Sequence, residues 1–233
     1  MYLLTLFFLL AFYAAVIGFG MKRMKRVWIW DLAFVAAILS LYLSVVVTVY
    51  KSVGFYDWNF QNTLPVANVS PFMFTLTPLA LLLPKRIRGH VFLLISLLSV
   101  GMVLSAVFNC FYNTAIHYKF HLHFACDYLA HVLLSLFGVY LVRSGQVKLT
   151  KKNALISSSI ILGAAVIMLV LNVIFDKAFF GLSLSGKHNI YNVVLTSNSY
   201  LSAILYFLGL SGVLLMGYCY VGLLKRAWER NSK

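Results

Sequence analysis

Acidic residues are scarce in this chain, with five Asp and Glu against 19 Lys and Arg in 233 residues. Charge of either sign is scarce as well, at 10% of the chain, whereas a soluble domain needs about a quarter of its residues charged to solvate its surface. A water-soluble globular domain is therefore excluded. Short signatures are missing too. The chain has no CxxC pair, HExxH, Walker loop or GxSxG elbow, so the sequence marks of a thiol redox centre, a zinc peptidase, a P-loop enzyme and an α/β-hydrolase are absent. No lysine lies inside the last apolar run, which excludes a retinal Schiff base there, and no transporter-like internal repeat is visible. The three cysteines add little. Cys110 and Cys126 fall near the same ends of adjacent antiparallel spans, where a disulfide is geometrically possible and two buried free thiols are expected. Cys219 reads as packing.

What the chain has instead is apolar length. Hydrophobic residues make up 62% and aromatics 16%, gathered into runs long enough to cross a bilayer, which takes roughly 20 residues. The expected fold class is all-α, a polytopic transmembrane helix bundle forming one domain over 1–233. Seven spans are expected at about 2–20, 27–50, 64–84, 91–113, 122–142, 154–175 and 200–224. The connectors alternate in charge. Lys22, Arg23, Lys25 and Arg26 follow the first span, and Lys85, Arg86 and Arg88 the third. Arg143, Lys148, Lys151 and Lys152 follow the fifth, and Lys225, Arg226, Arg230 and Lys233 the seventh. Only Lys51, Lys119, Lys177 and Lys187 fall on the other side. Lys and Arg are retained on the cytoplasmic side of short loops, so this asymmetry predicts a multi-pass cell-membrane protein with its N-terminus outside and its C-terminus in the cytoplasm.

The first apolar run lacks a basic start and a small-residue cleavage site, and it reads as a span rather than a signal peptide. Trp28, Trp30, Tyr50, Trp58 and Trp228 fall at or near the expected interfaces, where amphipathic rings anchor helices. A net charge of +14 would suit nucleic acid only on a folded basic face, which short loops do not offer. The basic clusters read as topology signals that meet anionic head groups. Expected partners are membrane lipids and, for an accessory subunit, another membrane protein; nucleic acid is not expected. No cofactor is implied.

Ionisable residues inside spans are the informative ones, because charge in hydrocarbon is tolerated only when partnered or wet. Asp31, beside Lys25 and Arg26, reads as an interfacial residue reaching a basic neighbour. His123, Asp127 and His131 are spaced i, i+4, i+8 and share one face of the fifth span. At about 1.5 Å per residue the stripe runs roughly 12 Å, from the outer surface to near the midplane. A carboxyl between imidazoles can orient them, share their protons or help them hold a cation. Asp127 and His131 are therefore the candidate catalytic groups, with a buried histidine bonded to a neighbouring helix as the plain alternative. His123 reads as solvated surface.

Other polar residues gather at the same level. Asn68 and Ser70 open the third span; Asn109, Cys110 and Asn113 end the fourth; Asn172 and Asp176 end the sixth. His117 and His121 lie in a connector, and the outer segment 176–199 carries His188, Asn189, Tyr191 and Asn192. The cytoplasmic halves of the spans are nearly all apolar. This lopsidedness predicts one outward-opening polar cavity bounded by spans three to six, with Asn68, Ser70, Asn109 and Asn172 as candidate substrate-binding residues.

The stretch Leu64, Pro65, Val66, Ala67, Asn68, Val69, followed by Ser70 and Pro71, resembles the helix-opening Leu-Pro-Leu-His-Leu-Cys motif of the YwaF-like family of integral membrane proteins. The basic turn at Lys85 and Arg86, the aromatic-rich helix holding His131, the helix ending in Asn172 and the Gly/Asn/Tyr-bearing outer loop extend the resemblance over roughly residues 55–222. Eukaryotic relatives of that family are linked to acyl transfer between phospholipids through a Cys/His pair. The resemblance implies His131 as base. The family's His and Cys are Ala67 and Val69 here, which leaves Ser70, one residue on, or Cys110 as the nucleophile.

Three classes of function follow. The first is an acyltransferase-like or hydrolase-like enzyme acting on lipid or a lipid-linked substrate. The second is a small-molecule or proton-coupled carrier along the His/Asp stripe. The third is an accessory or binding subunit. Seven-span metal hydrolases of the ceramidase and progestin-receptor type offer a further comparison. Here their several helix-borne His ligands would have to come from loops, at His117, His121 or His188, and no metal site is predicted.

Overall fold

Lipid offers the backbone no hydrogen-bond partner, so a chain this apolar must satisfy its N–H and C=O groups within its own helices. The computed structural model describes residues 2–20, 28–51, 68–116, 122–175, 179–182 and 199–230, and among these every regular element is helical. Helix α1 covers Tyr2–Ala15 and continues as a π-helix over Val16–Gly20; α2 is Trp28–Lys51, α3 Val69–Leu82 and α4 Lys85–Ile116. Helix α5 is Leu122–Arg143, α6 Lys151–Phe175 and α7 Ser199–Arg230, with a 3₁₀ turn at Phe179–Gly181 after α6. Five of them, α2, α4, α5, α6 and α7, are long and apolar enough to cross a membrane. Helices α1 and α3 are apolar and shorter.

The helix ends have local causes. Pro84 pushes Leu83 into an extended conformation (ψ 151°), which stops α3, and α4 begins directly afterwards. The Arg88 guanidinium reaches back to the Leu83 carbonyl with both Nε and Nη2, at 3.2 and 2.9 Å. Gly145 ends α5 in the left-handed region (φ 73°), the Gln146 N–H returning to the Leu141 carbonyl and the Gly145 N–H to that of Val142. Thr150 opens α6, its hydroxyl accepting the Asn153 N–H at 3.2 Å. One expectation is corrected here. Lys85, Arg86, Arg88, Arg143, Lys151 and Lys152 lie inside helices rather than in connectors, because Pro84, Gly145 and Thr150 set the ends of those helices, not the limits of the apolar runs. Lys225, Arg226 and Arg230 lie inside α7.

Helices α4 and α5 form the centre and are mostly buried, while α2, α6 and α7 turn much of their length outward. The central pair crosses closely because Gly138 has no side chain; a Cβ there would stand 2.8 Å from the Ile95 carbonyl oxygen. The Ser96 hydroxyl donates to the Gly138 carbonyl at 2.8 Å across the same crossing. Gly217 of α7 approaches the Leu97 carbonyl of α4 so nearly that no Cβ fits. The basic helix ends gather at one end of the bundle. Arg143 lies 5.5 Å over the Trp228 ring, so Trp228 is buried rather than facing lipid. Asp31 of α2 accepts a 2.8 Å hydrogen bond from Gln146 in the α5–α6 connector, and its expected neighbours Lys25 and Arg26 lie outside the described residues.

Candidate functional site

Ser70 stands in the first turn of α3, and His131 stands on α5 one turn after Asp127. Both Ser70 and His131 are 12 residues from the basic end of their helices, which are Leu82 and Arg143. At about 1.5 Å per residue both therefore lie roughly 18 Å from that end. The equal heights bring them together, and His131 Nε2 is 2.8 Å from Ser70 Oγ. On its other side His131 Nδ1 lies 2.8 Å from the Asp127 backbone oxygen and 3.5 Å from the Asp127 carboxyl. A carbonyl can only accept, so Nδ1 carries the proton. In the neutral ring Nε2 then presents its lone pair to the serine, whose hydroxyl donates.

The surroundings hold this arrangement. His131 is only 2% exposed, and the Phe74 ring meets it edge-on, at 5.1 Å between centroids and 86° between planes. Phe74 is one turn beyond Ser70 on the same helix, so α3 grips the imidazole with two residues. The Asp127 carboxyl, 22% exposed, is hydrogen-bonded by the Asn109 side chain of α4. Tyr128, fully buried, directs its hydroxyl to the Asn109 carbonyl at 3.4 Å.

Of the candidate residues, the structure brings together His131, Asp127, Ser70 and Asn109. Asn68 is exposed at the start of α3, and its side chain does not cap the helix. Asn172 does something else. Its amide donates to the carbonyls of Phe179 and Leu182, and its oxygen accepts the Phe179 N–H at 2.6 Å. That bracket holds the turn in which Phe180 takes a left-handed backbone (φ 57°) and packs on Phe72. Asn172 thus has no hydrogen-bonding capacity left for a substrate except one oxygen lone pair.

Further expectations are revised. His123 is buried, at 9% exposure against Phe124, not solvated. The cysteines are free; Cys110 is buried, Cys126 half-buried, and Cys219 exposed rather than packed. The half of the bundle toward the basic end is not purely apolar. Tyr13 of α1 bonds Ser135 of α5 at 2.9 Å and Tyr220 of α7 at 3.0 Å, and His90 of α4 meets Ser157 of α6 at 3.3 Å. The overlooked signal for the first cluster is Ser135 itself, which continues the four-residue spacing of His123, Asp127 and His131. The side chain of Asn113, and His117, His121, Asp176, His188, Asn189, Tyr191 and Asn192, lie outside the described residues, and with them much of the expected cavity mouth. Among the described residues no group of three or more His, Cys, Asp or Glu is placed to hold a metal ion.

No protein-family model matches the chain, and neither curated proteins nor solved structures match it. The functional reading rests on the geometry.

Proposed function

We propose that the protein is a membrane-embedded serine acyltransferase or acyl hydrolase acting on an ester of a lipid or lipid-linked substrate. Ser70 is the nucleophile, His131 the general base and Asp127 the group that fixes the tautomer and orientation of the ring. The observation that carries this is the 2.8 Å contact between Ser70 Oγ and His131 Nε2, with Nδ1 committed to the Asp127 backbone oxygen. A hydroxyl is a weak nucleophile until an oriented base takes its proton, and this is the geometry that lets it happen. Ser70 Oγ attacks the ester carbonyl as His131 Nε2 takes its proton. The same proton passes to the leaving alcohol, giving acyl-Ser70. Water or a second alcohol then attacks with His131 as base, and the serine is restored. Pro71 has no N–H and that of Phe72 bonds the Asn68 carbonyl, so the Val69 and Ser70 N–H groups, without an intrahelical acceptor at the positive end of the α3 dipole, are the donors that suit the oxyanion. The YwaF-like resemblance points to the same chemistry, with Ser70 one residue beyond the family's cysteine position.

The test is a fluorophosphonate probe on the purified protein. An adduct on the Ser70 peptide, absent in His131→Ala, is expected; an unlabelled Ser70 in well-inserted protein removes the reading. One observation favours a second reading, a proton-coupled carrier. Ser135 prolongs the α5 stripe and ties it to Tyr13 and Tyr220, extending polar groups toward the basic end. Proton flux into vesicles that Tyr13→Phe abolishes would select it.

The topology in this proposal is seven spans, α1 and α3 crossing with the five longer helices, N-terminus outside. The charge asymmetry supports it. Single cysteines at Ser144 and Ser185 are expected to react with an impermeant reagent from opposite sides, and labelling of both from outside would reverse the orientation.

A further inference from the structure

The depth of the Ser70–His131 pair restricts which esters can reach it. The pair lies roughly 18 Å from the basic end of α3 and α5, which in the topology proposed above cross a hydrocarbon core about 30 Å thick. Arg143, over the Trp228 ring, marks one boundary. The opposite boundary is then roughly 12 Å away, and the pair stands near the midplane. In an undisturbed phospholipid the ester carbonyls lie at that boundary, next to the charged head group. Drawing one down to Ser70 brings the phosphate into the hydrocarbon, where a charge is tolerated only with a partner or water.

Among the described residues no such partner stands at this level. The described Lys and Arg side chains sit in the first turns of α4 and α6, at the ends of α5 and α7 and in the α5–α6 connector, all at the basic end. Beside His131 stand the Phe74 ring and the Asp127 carboxyl, the latter hydrogen-bonded by the Asn109 side chain, and none of these groups carries the positive charge that would hold a phosphate. An uncharged lipid has no such barrier. Its hydroxyl and ester groups can follow the acyl chain to the midplane with only hydrogen bonds to satisfy.

We infer that the substrate class is an uncharged acyl ester, of the diacylglycerol, triacylglycerol or wax-ester kind, rather than a phospholipid. This rests on the serine acyl-transfer reading. The reaction passes the acyl group from the lipid oxygen to Ser70 Oγ, the leaving alcohol taking the serine's proton from His131, and then to water or an acceptor alcohol.

The experiment uses the full chain in phosphatidylcholine nanodiscs. It receives diacylglycerol, phosphatidylcholine or phosphatidylglycerol carrying the same labelled acyl chain at equal mole fraction. Fatty-acid release, and the acyl group on the Ser70 peptide, are read by mass spectrometry, with the melting temperature of Ser70→Ala as the check on folding. Expected is diacylglycerol turnover at least about tenfold above either phospholipid, about 1.4 kcal/mol in barrier, and lost in Ser70→Ala. Phospholipid turnover as fast or faster, also lost in Ser70→Ala, overturns the substrate class and leaves the serine reading standing. Turnover that survives Ser70→Ala, or no acyl adduct and no fluorophosphonate label on Ser70 with any ester, overturns both.

Discussion

Two buried polar clusters share one side of α5 and differ in a single chemical respect. Toward the end of α5 away from the basic cluster, Asp127 and His131 bond Asn109 of α4 and Ser70 of α3. One turn further along, Ser135 bonds Tyr13 of α1, which bonds Tyr220 of α7. Both clusters satisfy polar groups that lipid cannot, and both tie distant parts of the chain. The second contains three hydroxyls and no base, so it exchanges hydrogen bonds without taking a proton from any of them. The first sets an imidazole of fixed tautomer beside a hydroxyl. In an apolar helix bundle, then, burial of polar groups does not by itself single out a candidate site; an oriented base beside a hydroxyl does.

The sharpest way to break this comparison is to remove each cluster in turn. His131→Ala and Ser70→Ala are expected to lower probe labelling and ester turnover by about 10²–10⁴-fold, the usual worth of a positioned base. Tyr13→Phe and Tyr220→Phe should leave both rates within about twofold of the parent on the scale of ordinary kinetic differences. A tyrosine variant as inactive as His131→Ala would make the two clusters one functional unit. Next in size is the helix crossing on which both depend. Gly138→Ala places a methyl 2.8 Å from the Ile95 carbonyl, a backbone atom that cannot step aside. A stability loss of about 1–3 kcal/mol, read as a lower melting temperature in detergent, is expected. Asn172→Ala should cost about 1–3 kcal/mol as well, since it strands Phe179 and Leu182 backbone groups. Probe labelling should persist, and its loss would return Asn172 to the site. The smallest effect falls on the hydroxyl cluster, where Tyr13→Phe is expected to cost about 0.6 kcal/mol and no more than roughly 1.7.

The helical class and the α5 half of the candidate site were legible in the sequence, for a physical reason. Apolar length and i, i+4 spacing are local properties, and they put Asp127 and His131 on one face before any packing is known. Helix ends were harder to see. Ser144-Gly145 and Thr150 set the ends of α5 and α6 through a left-handed glycine and a threonine cap, signals that a window of hydrophobicity averages away. The role of Asn172 was out of reach, because its partners lie seven and ten residues ahead in an irregular turn. Tyr13 and Tyr220 were hidden for a different reason. A tyrosine in an apolar run reads as aromatic bulk, and only the fold shows that 207 residues of separation close to 3.0 Å.

Ser70 and His131 are 61 residues apart in the chain. At a synthesis rate of about 5–20 residues per second, the ribosome needs roughly 3–12 seconds after making the serine to make its base. During that interval α3 can enter the bilayer with α4, to which the Arg88–Leu83 clasp joins it, and Ser70 is an ordinary helix hydroxyl. On the serine chemistry proposed above, activity arises only when α5 arrives, and a nascent chain stalled between the two helices carries a serine without its base.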